Sequence, residues 1–252
     1  IFRLFPTFYR FKNLYLTTGW EKTEVFTSFF VKCDKRIYFI NSWDNPSSRN
    51  IFFYKPSEIY VWSMFVKESL LRHYKLDNSI VRIIGRYDKI SKIKRNKNEK
   101  YLYFVHGSKV GKIDVYFNYA KKVAENLGLK FVFRKYGGEV YDQKLISQAD
   151  RIEYPDLFNS GAHGVKIGKL TSIHNNKTYY ESLLNAEIIF TNTSTVLIDS
   201  YRVQKKAYCI VDESNLNEIE LLGYYHLLVL LSYNGFFLQD INKKFILKNE
   251  NI

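Results

Sequence analysis

Ala186-Glu-Ile-Ile-Phe-Thr-Asn-Thr-Ser-Thr-Val-Leu-Ile-Asp-Ser-Tyr201 changes character twice within sixteen residues. Ile188, Ile189 and Phe190 are β-branched or aromatic, which suits a short buried strand. Thr191, Asn192, Thr193, Ser194 and Thr195 follow at once. Such side chains favour helix starts because their oxygens accept from backbone N–H groups that lack a partner in the first turn. Val196, Leu197, Ser200 and Tyr201 then fall at helical spacing, and Lys205-Lys-Ala-Tyr-Cys-Ile-Val211 reads as the next strand. A strand running into a hydroxyl-rich helix start presents backbone donors and the positive end of a helix dipole, for which phosphate is a natural guest. The same residues also make an ordinary N-cap in any α/β protein, and the local pattern weighs the two readings evenly.

Working outward, the pattern repeats. Tyr101-Leu-Tyr-Phe-Val-His-Gly-Ser108 reads as a strand ending in His106, Gly107 and Ser108, where glycine lets a ligand approach the backbone closely. A helix is predicted over 113–127 and stops at Gly128. Leu129 to Tyr136 is the next strand, with Arg134 and Lys135 at its carboxyl end, as phosphate-facing cations or as a surface pair. A short strand and turn cover 150–156, and Thr178 is predicted to cap a helix over 179–184.

In the first half, Lys35 to Asn41 is a strand that opens into the turn-rich loop Ser42-Trp-Asp-Asn-Pro-Ser-Ser-Arg-Asn50. Ser57 to Trp62 is a second strand, Ser63 caps a helix over 64–74, and Ile80 to Gly85 is a third strand. Strands alternating with helices imply parallel sheets. Phe2 to Tyr15 mixes aromatic and basic residues and is read as a packed segment whose partner lies upstream. The lysine-rich run 90–100 reads as a solvated linker, dividing the chain into domains at 1–97 and 98–252. The apolar stretch 221–238 is broken by Gly223, His226, Ser232, Asn234 and Gly235, so it reads as a buried helix followed by a strand rather than a membrane span.

Bulk composition narrows the function classes. Hydrophobic residues make up 46% of 252, enough for a core. The formal charge of +13 favours acidic partners such as nucleotides, phosphorylated substrates or anionic lipid surfaces. Lysine abundance in a chain also rich in Asn, Ile and Tyr reduces its weight as evidence for nucleic acid. Two distant cysteines, Cys33 and Cys209, argue against a disulfide framework and a Cys-based zinc site, and fit a reducing, cytoplasmic setting. The five histidines are scattered, and there is no Walker loop, dinucleotide fingerprint or Gly-x-Ser-x-Gly elbow. The reading therefore includes no metal and no cofactor. The chain starts at Ile1 without a signal-peptide pattern, and reads as one with N-terminal sequence trimmed away.

Taken in order, these landmarks resemble a family. The Ser42-Trp-Asp-Asn-Pro-Ser-Ser loop, Ile59-Tyr-Val-Trp-Ser63, Ile83-Ile-Gly-Arg-Tyr-Asp88, His106-Gly-Ser, Phe133-Arg-Lys and Thr193-Ser-Thr-Val-Leu-Ile-Asp199 are similar to a series in bacterial surface-carbohydrate glycosyltransferases of the GT-B fold. These are akin to the CDP-glycerol glycerophosphotransferase-like families of teichoic acid synthesis. The resemblance implies two Rossmann-like lobes, the first incomplete, and transfer of a sugar or related group from a nucleotide-activated donor to a glycan or lipid-linked glycan acceptor. It implies that Thr193, Ser194 and Thr195 meet the donor phosphates, that Asp199 lies near the donor's sugar or ribose, and that His106, Gly107, Ser108 and Arg134 line the same cleft. Asp44 is the candidate catalytic base, on an acceptor-side loop with Trp43, Asn45, Ser47 and Ser48. Two departures stand out: Arg134-Lys-Tyr-Gly lacks the family's His-Pro, and Asp199 replaces a glutamate. The charge also fits peripheral association with the inner face of a membrane. The alternatives are a basic protein that binds nucleic acid or anionic surfaces, and a GT-B-like domain that binds without turnover.

Overall fold

The computed structural model describes residues 10–16, 22–40, 55–85, 99–106, 113–135, 140–154, 174–192, 194–212 and 236–247; the side chains of 22–25, 174–177 and 194–195 lie outside that description. The described residues up to Gly85 belong to one compact unit and those from Glu99 onward to another. Each is a parallel α/β sheet, as the alternation of strands and helices predicts.

The first unit carries β1 (Arg10–Leu16), α1 (Lys22–Phe30), β2 (Lys32–Ile40), β3 (Glu58–Val61), α2 (Met64–Tyr74) and β4 (Val81–Ile83). Its strands lie in the order β1-β2-β3-β4, every pair parallel. Ser63 caps α2 as its sequence position predicts, its Oγ accepting from the Val66 N–H at 3.3 Å. The aromatic, basic segment departs from expectation. Residues 10–16 form β1, and the partner lies downstream: Arg10 to Leu16 run beside Lys32 to Tyr38 of β2. Helix α1, between those strands, has no sequence signal that marks it. Phe26, Phe29 and Phe30 are at least half exposed on it, while Ser28 is buried, the reverse of an amphipathic pattern.

The second unit carries β5 (Tyr101–Val105), α3 (Ile113–Asn126), β6 (Lys130–Arg134), α4 (Gln143–Ile146), β7 (Arg151–Glu153), α5 (His174–Asn185), β8 (Ile188–Thr191), α6 (Ser194–Arg202), β9 (Ala207–Val211) and β10 (Phe236–Asp240). The six strands are parallel in the order β10-β9-β8-β5-β6-β7. Numbered within the unit, that is 3-2-1-4-5-6 read from the β7 edge, the doubly wound order of dinucleotide-binding sheets.

Side chains alternate across each strand. Leu102 and Phe104 of β5 join Phe131 and Phe133 of β6, Ile188 and Phe190 of β8, and the inner faces of α3 and α4 in one apolar core. Phe117 of α3 meets Phe131 and Phe133 edge-on at 4.9 and 5.1 Å, each worth about 0.5–1.5 kcal/mol beyond the area buried. The other face is covered by α5 and α6. Burial on both faces explains why these strands read as continuous apolar runs rather than alternating ones. Gly128 ends α3 with φ +64°, and the Leu129 and Gly128 N–H groups donate to Ala124 O and Glu125 O, a turn that needs the left-handed conformation glycine adopts freely. One predicted boundary is corrected: α5 begins at His174, so Thr178 sits inside the helix and caps nothing. The strand expected near the end of 221–238 appears as β10, while 221–235 lie outside the described residues.

Both cysteines are unpaired. Burial pushes the Cys209 thiol on β9 up to about 12, whereas Cys33 on β2 is partly exposed. Iodoacetamide near neutral pH should therefore modify Cys33 in the native protein and reach Cys209 only on unfolding. Peptide mass mapping of Cys209 labelled under native conditions would contradict the placement of β9.

Candidate functional site

In an open parallel sheet, neighbouring crossovers leave the strands' carboxyl ends on opposite faces where the strand order reverses, and that point opens a crevice. In the second unit the reversal falls between β5 and β8, with Val105 registered against Thr191 at their carboxyl ends. His106 follows β5 directly, and α6 begins at Ser194, three residues past the end of β8. The structure thus brings His106 and the start of α6, 88 residues apart in the chain, to one end of two adjacent strands.

His106 is only 5% exposed. Its backbone N–H donates to Arg134 O at 3.1 Å, extending the β5–β6 ladder by one rung. Its Nδ1 is hydrogen-bonded to Tyr141 Oη at 2.6 Å, and the two rings meet edge-on with centroids 5.6 Å apart. Tyr141 is buried just ahead of α4, whose start Asp142 caps by accepting from the Lys144 N–H at 2.9 Å. The ring of His106 is therefore held in one orientation at the mouth of the strand.

On the opposite face the carboxyl-end arginine is set in a polar cluster. Arg134 closes β6, with Nη1 3.5 Å from Glu153 Oε2 of β7 and its guanidinium 4.8 Å above the Tyr179 ring of α5. Glu153 also accepts from Tyr103 Oη and Ser182 Oγ, both at 2.6 Å, and from Arg151 Nη2 at 3.3 Å. Its side chain is 10% exposed. A carboxylate so withdrawn from water loses several kcal/mol of hydration, which these four donors offset. Tyr179 donates to Asp199 Oδ2 at 3.3 Å and Tyr180 to Asp199 Oδ1 at 3.2 Å, with Arg202 Nη1 3.5 Å from the same Oδ1. Tyr179 thus bridges β6 and α6: its ring lies under Arg134 and its hydroxyl holds Asp199. Burial, then the Glu153 charge, holds the Tyr103 phenol well above its usual value; desolvation, then the Asp199 charge, does the same for Tyr179.

No protein-family model matches the chain, and no curated protein matches it. Solved structures do resemble it. Staphylococcus aureus MnaA in a co-structure with UDP aligns with a TM-score of 0.49 at 11% identity, over 86% of this chain and 68% of its own. A putative UDP-N-acetylglucosamine 2-epimerase from Listeria monocytogenes aligns at 0.46 and 12% identity, over 89% and 69%. A mutant of S. aureus TarM in complex with fondaparinux, alpha-GlcNAc-glycerol and UDP aligns at 0.43 and 12%, over 86% and 48%. At such TM-scores and identities these likenesses assign neither substrate nor chemistry to this chain.

The remaining sequence candidates are placed as follows. Asp199 is buried on α6, one turn beyond its start. Ser194 and Thr195 are placed by their backbone in the first turn of α6. Trp43, Asp44, Asn45, Ser47, Ser48, Gly107, Ser108 and Thr193 lie outside the described residues. Among the described residues no group of three or more His, Cys, Asp or Glu is placed to hold a metal ion. Tyr141, Glu153, Tyr103 and Tyr179 were not legible as site residues. Tyr103, Glu153 and Tyr179 sit in ordinary strand or helix patterns and Tyr141 in the turn ahead of α4, and only the sheet order brings them to the carboxyl ends or to Arg134.

Two outcomes test this geometry. Removing Glu153 strands Arg134 and two buried hydroxyls, so Glu153→Ala should lower stability by about 3–5 kcal/mol. Glu99, which pairs with Lys130 and Arg151 but is 36% exposed, should cost no more than about 1 kcal/mol on the same change; equal urea midpoints for the two variants would overturn the contrast. The raised phenols set the alkaline limit. Below pH about 10 the unfolded chain's tyrosines are also protonated and stability is unaffected, whereas above it the unfolded state releases protons that Tyr103 and Tyr179 retain. Stability should therefore fall as pH rises from about 10, more steeply in the parent than in Tyr103→Phe, as read from urea midpoints.

Proposed function

We propose that this protein is a glycosyltransferase that moves a sugar or related group from a nucleotide-activated donor to a surface-glycan acceptor, with the donor's phosphates held at the β5–β8 switch point of the second unit. The observation that carries this reading is the convergence there of His106 after β5 and the hydroxyl-rich start of α6 after β8. A helix start offers unpaired backbone N–H groups and a positive dipole end, worth about 0.3–2 kcal/mol toward a nearby anion. In this reading the hydroxyls of Thr193, Ser194 and Thr195, which the sequence sets at that start, donate to the same phosphates. The order of motifs shared with GT-B carbohydrate transferases supports the same reading.

In this reaction the bond between the sugar's anomeric carbon and the donor phosphate oxygen breaks, and negative charge grows on the departing phosphate. Donors already aimed at that oxygen stabilise the transition state more than the ground state. The α6 start supplies fixed backbone donors. Arg134 supplies a cation of five N–H groups, set between the Tyr179 ring and Glu153, whose Oε2 lies 3.5 Å from its Nη1. His106, fixed by Tyr141, offers a hydrogen-bonding ring at the end of β5. Asp199, satisfied by Tyr179, Tyr180 and Arg202, acts by anchoring α6 against α5 so that its first turn keeps its aim. The acceptor hydroxyl loses its proton to a carboxylate on the first unit's loop, for which Asp44 is the candidate.

A thermal-shift titration with UDP, CDP, CMP, GDP and dTDP tests the donor site directly, since a ligand that binds only the folded state raises Tm by mass action. One nucleotide family should raise Tm, and Arg134→Ala combined with Ser194→Ala should abolish most of that rise. A response to all five alike, unaffected by the double substitution, would remove the donor site from the β5–β8 crevice.

A further inference from the structure

The second unit carries another concave site, at the opposite end of its strands. A pocket of about 820 Å³ opens where β8 and β9 begin, lined by Glu187, Tyr201, Arg202, Gln204, Lys205 and Lys206 among others. That size lies within the roughly 300–1,000 Å³ range of small-molecule sites. Glu187 immediately precedes β8, Lys205 and Lys206 immediately precede β9, and Tyr201 to Gln204 form the end of α6. Because β8 and β9 are parallel, their amino ends point away from the switch-point crevice. A four-residue strand such as β8 separates the two ends by about 13 Å.

The lining is built rather than incidental. Three basic residues, Arg202, Lys205 and Lys206, and one carboxylate, Glu187, line the pocket. Lys205 Nζ donates to Ala186 O at 2.7 Å, and Arg202 Nη1 is fixed by Tyr180 Oη at 3.2 Å and Asp199 Oδ1 at 3.5 Å. Long basic side chains usually lose rotamer freedom on binding a ligand, and these two have already lost it to the protein. Tyr201 is 42% exposed and its ring leans on Phe236 at 5.5 Å, which holds it as a fixed aromatic surface. Gln204 occupies the left-handed position that ends α6, φ +56°, where glycine would be less strained. A glutamine there keeps an amide on the pocket wall.

We infer that this pocket binds an acidic sugar, a hexose unit bearing phosphate or carboxylate, apart from the switch-point crevice. The cations take the anionic group through charge-assisted hydrogen bonds. The Tyr201 ring lies against the apolar face of the sugar, and Glu187 and Gln204 accept from its hydroxyls. A bare anion would use the cations alone, and a neutral sugar would forgo the charge-assisted hydrogen bonds they offer. The pocket shares no residue with the crevice apart from the brace through Arg202 and Asp199, so it stands or falls independently of the donor reading.

The test is calorimetric titration of the whole chain with glucose 1-phosphate, glucuronic acid, glucose and inorganic phosphate, with lysine acetylation mapped by mass spectrometry to locate binding. Glucose 1-phosphate or glucuronic acid should bind roughly tenfold or more tightly than glucose and than inorganic phosphate, and should protect Lys205 and Lys206 from acetylation in the unaltered protein. Lys206→Glu should weaken that binding about tenfold or more, and Tyr201→Ala should reduce it to the level of inorganic phosphate. Inorganic phosphate binding as tightly as the acidic sugars would mean an adventitious ion only. Absence of protection at Lys205 and Lys206, or unchanged affinity in Lys206→Glu, would also overturn the assignment. Any nucleotide-induced rise in Tm should be the same in Lys206→Glu as in the parent, so loss of either site is read separately from the other.

Discussion

Strand β5 is hydrogen-bonded on both sides, to β6 along Tyr101–Val105 and to β8 along Leu102–Val105, and it is buried along its whole length. Every backbone donor and acceptor in such a position must be met by a neighbouring strand, because no water reaches it. With all strands parallel, the chain must cross over a face of the sheet after each one, and the crossovers on either side of β5 run in opposite directions. The reversal places the β5 exit and the β8 exit side by side. The placement of His106 beside the start of α6 follows from that single pairing.

The two faces of this sheet solve different problems. The face under α3 and α4 is filled mainly by aliphatic side chains and aromatic rings in edge-on, tilted and stacked pairs, where fit of shape dominates. The face under α5 carries tyrosines, arginines and carboxylates in a region with little water, so each must find a specific partner. Glu153 gathers four donors, and Asp199 gathers three. Tyr179 joins the two groups by lying under Arg134 and donating to Asp199. A displacement of α5 would break both sets together. This couples the arginine at the end of β6 to the helix that follows β8, although 60 residues of chain separate Arg134 from Ser194.

Charge has different meanings in different parts of the same unit. At the carboxyl ends, positive character comes from Arg134 and a helix start. At the amino ends of β8 and β9 it comes from Arg202, Lys205 and Lys206 gathered around a pocket. Lysines and an arginine near the carboxyl end of α6 also complement that end of the helix dipole, which explains why they are tolerated together before any ligand arrives. The formal charge of +13 could not separate these roles.

Much of the fold was legible because local chemistry and tertiary structure agreed. Apolar runs such as Tyr101–Val105 and Ala207–Val211, the Ser63 cap, and Gly128 as a stop each have a cause within a few residues, and a parallel α/β architecture follows from their alternation. The predicted cap at Thr178 failed because a hydroxyl residue inside a longer helix looks locally like one at its start. Helix α1 was missed because its aromatic residues do not mark a buried face, and the pairing of β1 with the downstream β2 was missed because strand pairing is set by the whole sheet. Within the site, His106 and Arg134 could be named from strand ends. Their partners Tyr141, Glu153 and Tyr179 could not, since they approach from segments 35, 19 and 45 residues away in the chain. Residue type and local spacing thus determined the elements and the chemistry carried at their ends. Which ends meet was decided only by strand order, because hydrogen-bond pairing and two-sided burial are properties of the assembled sheet.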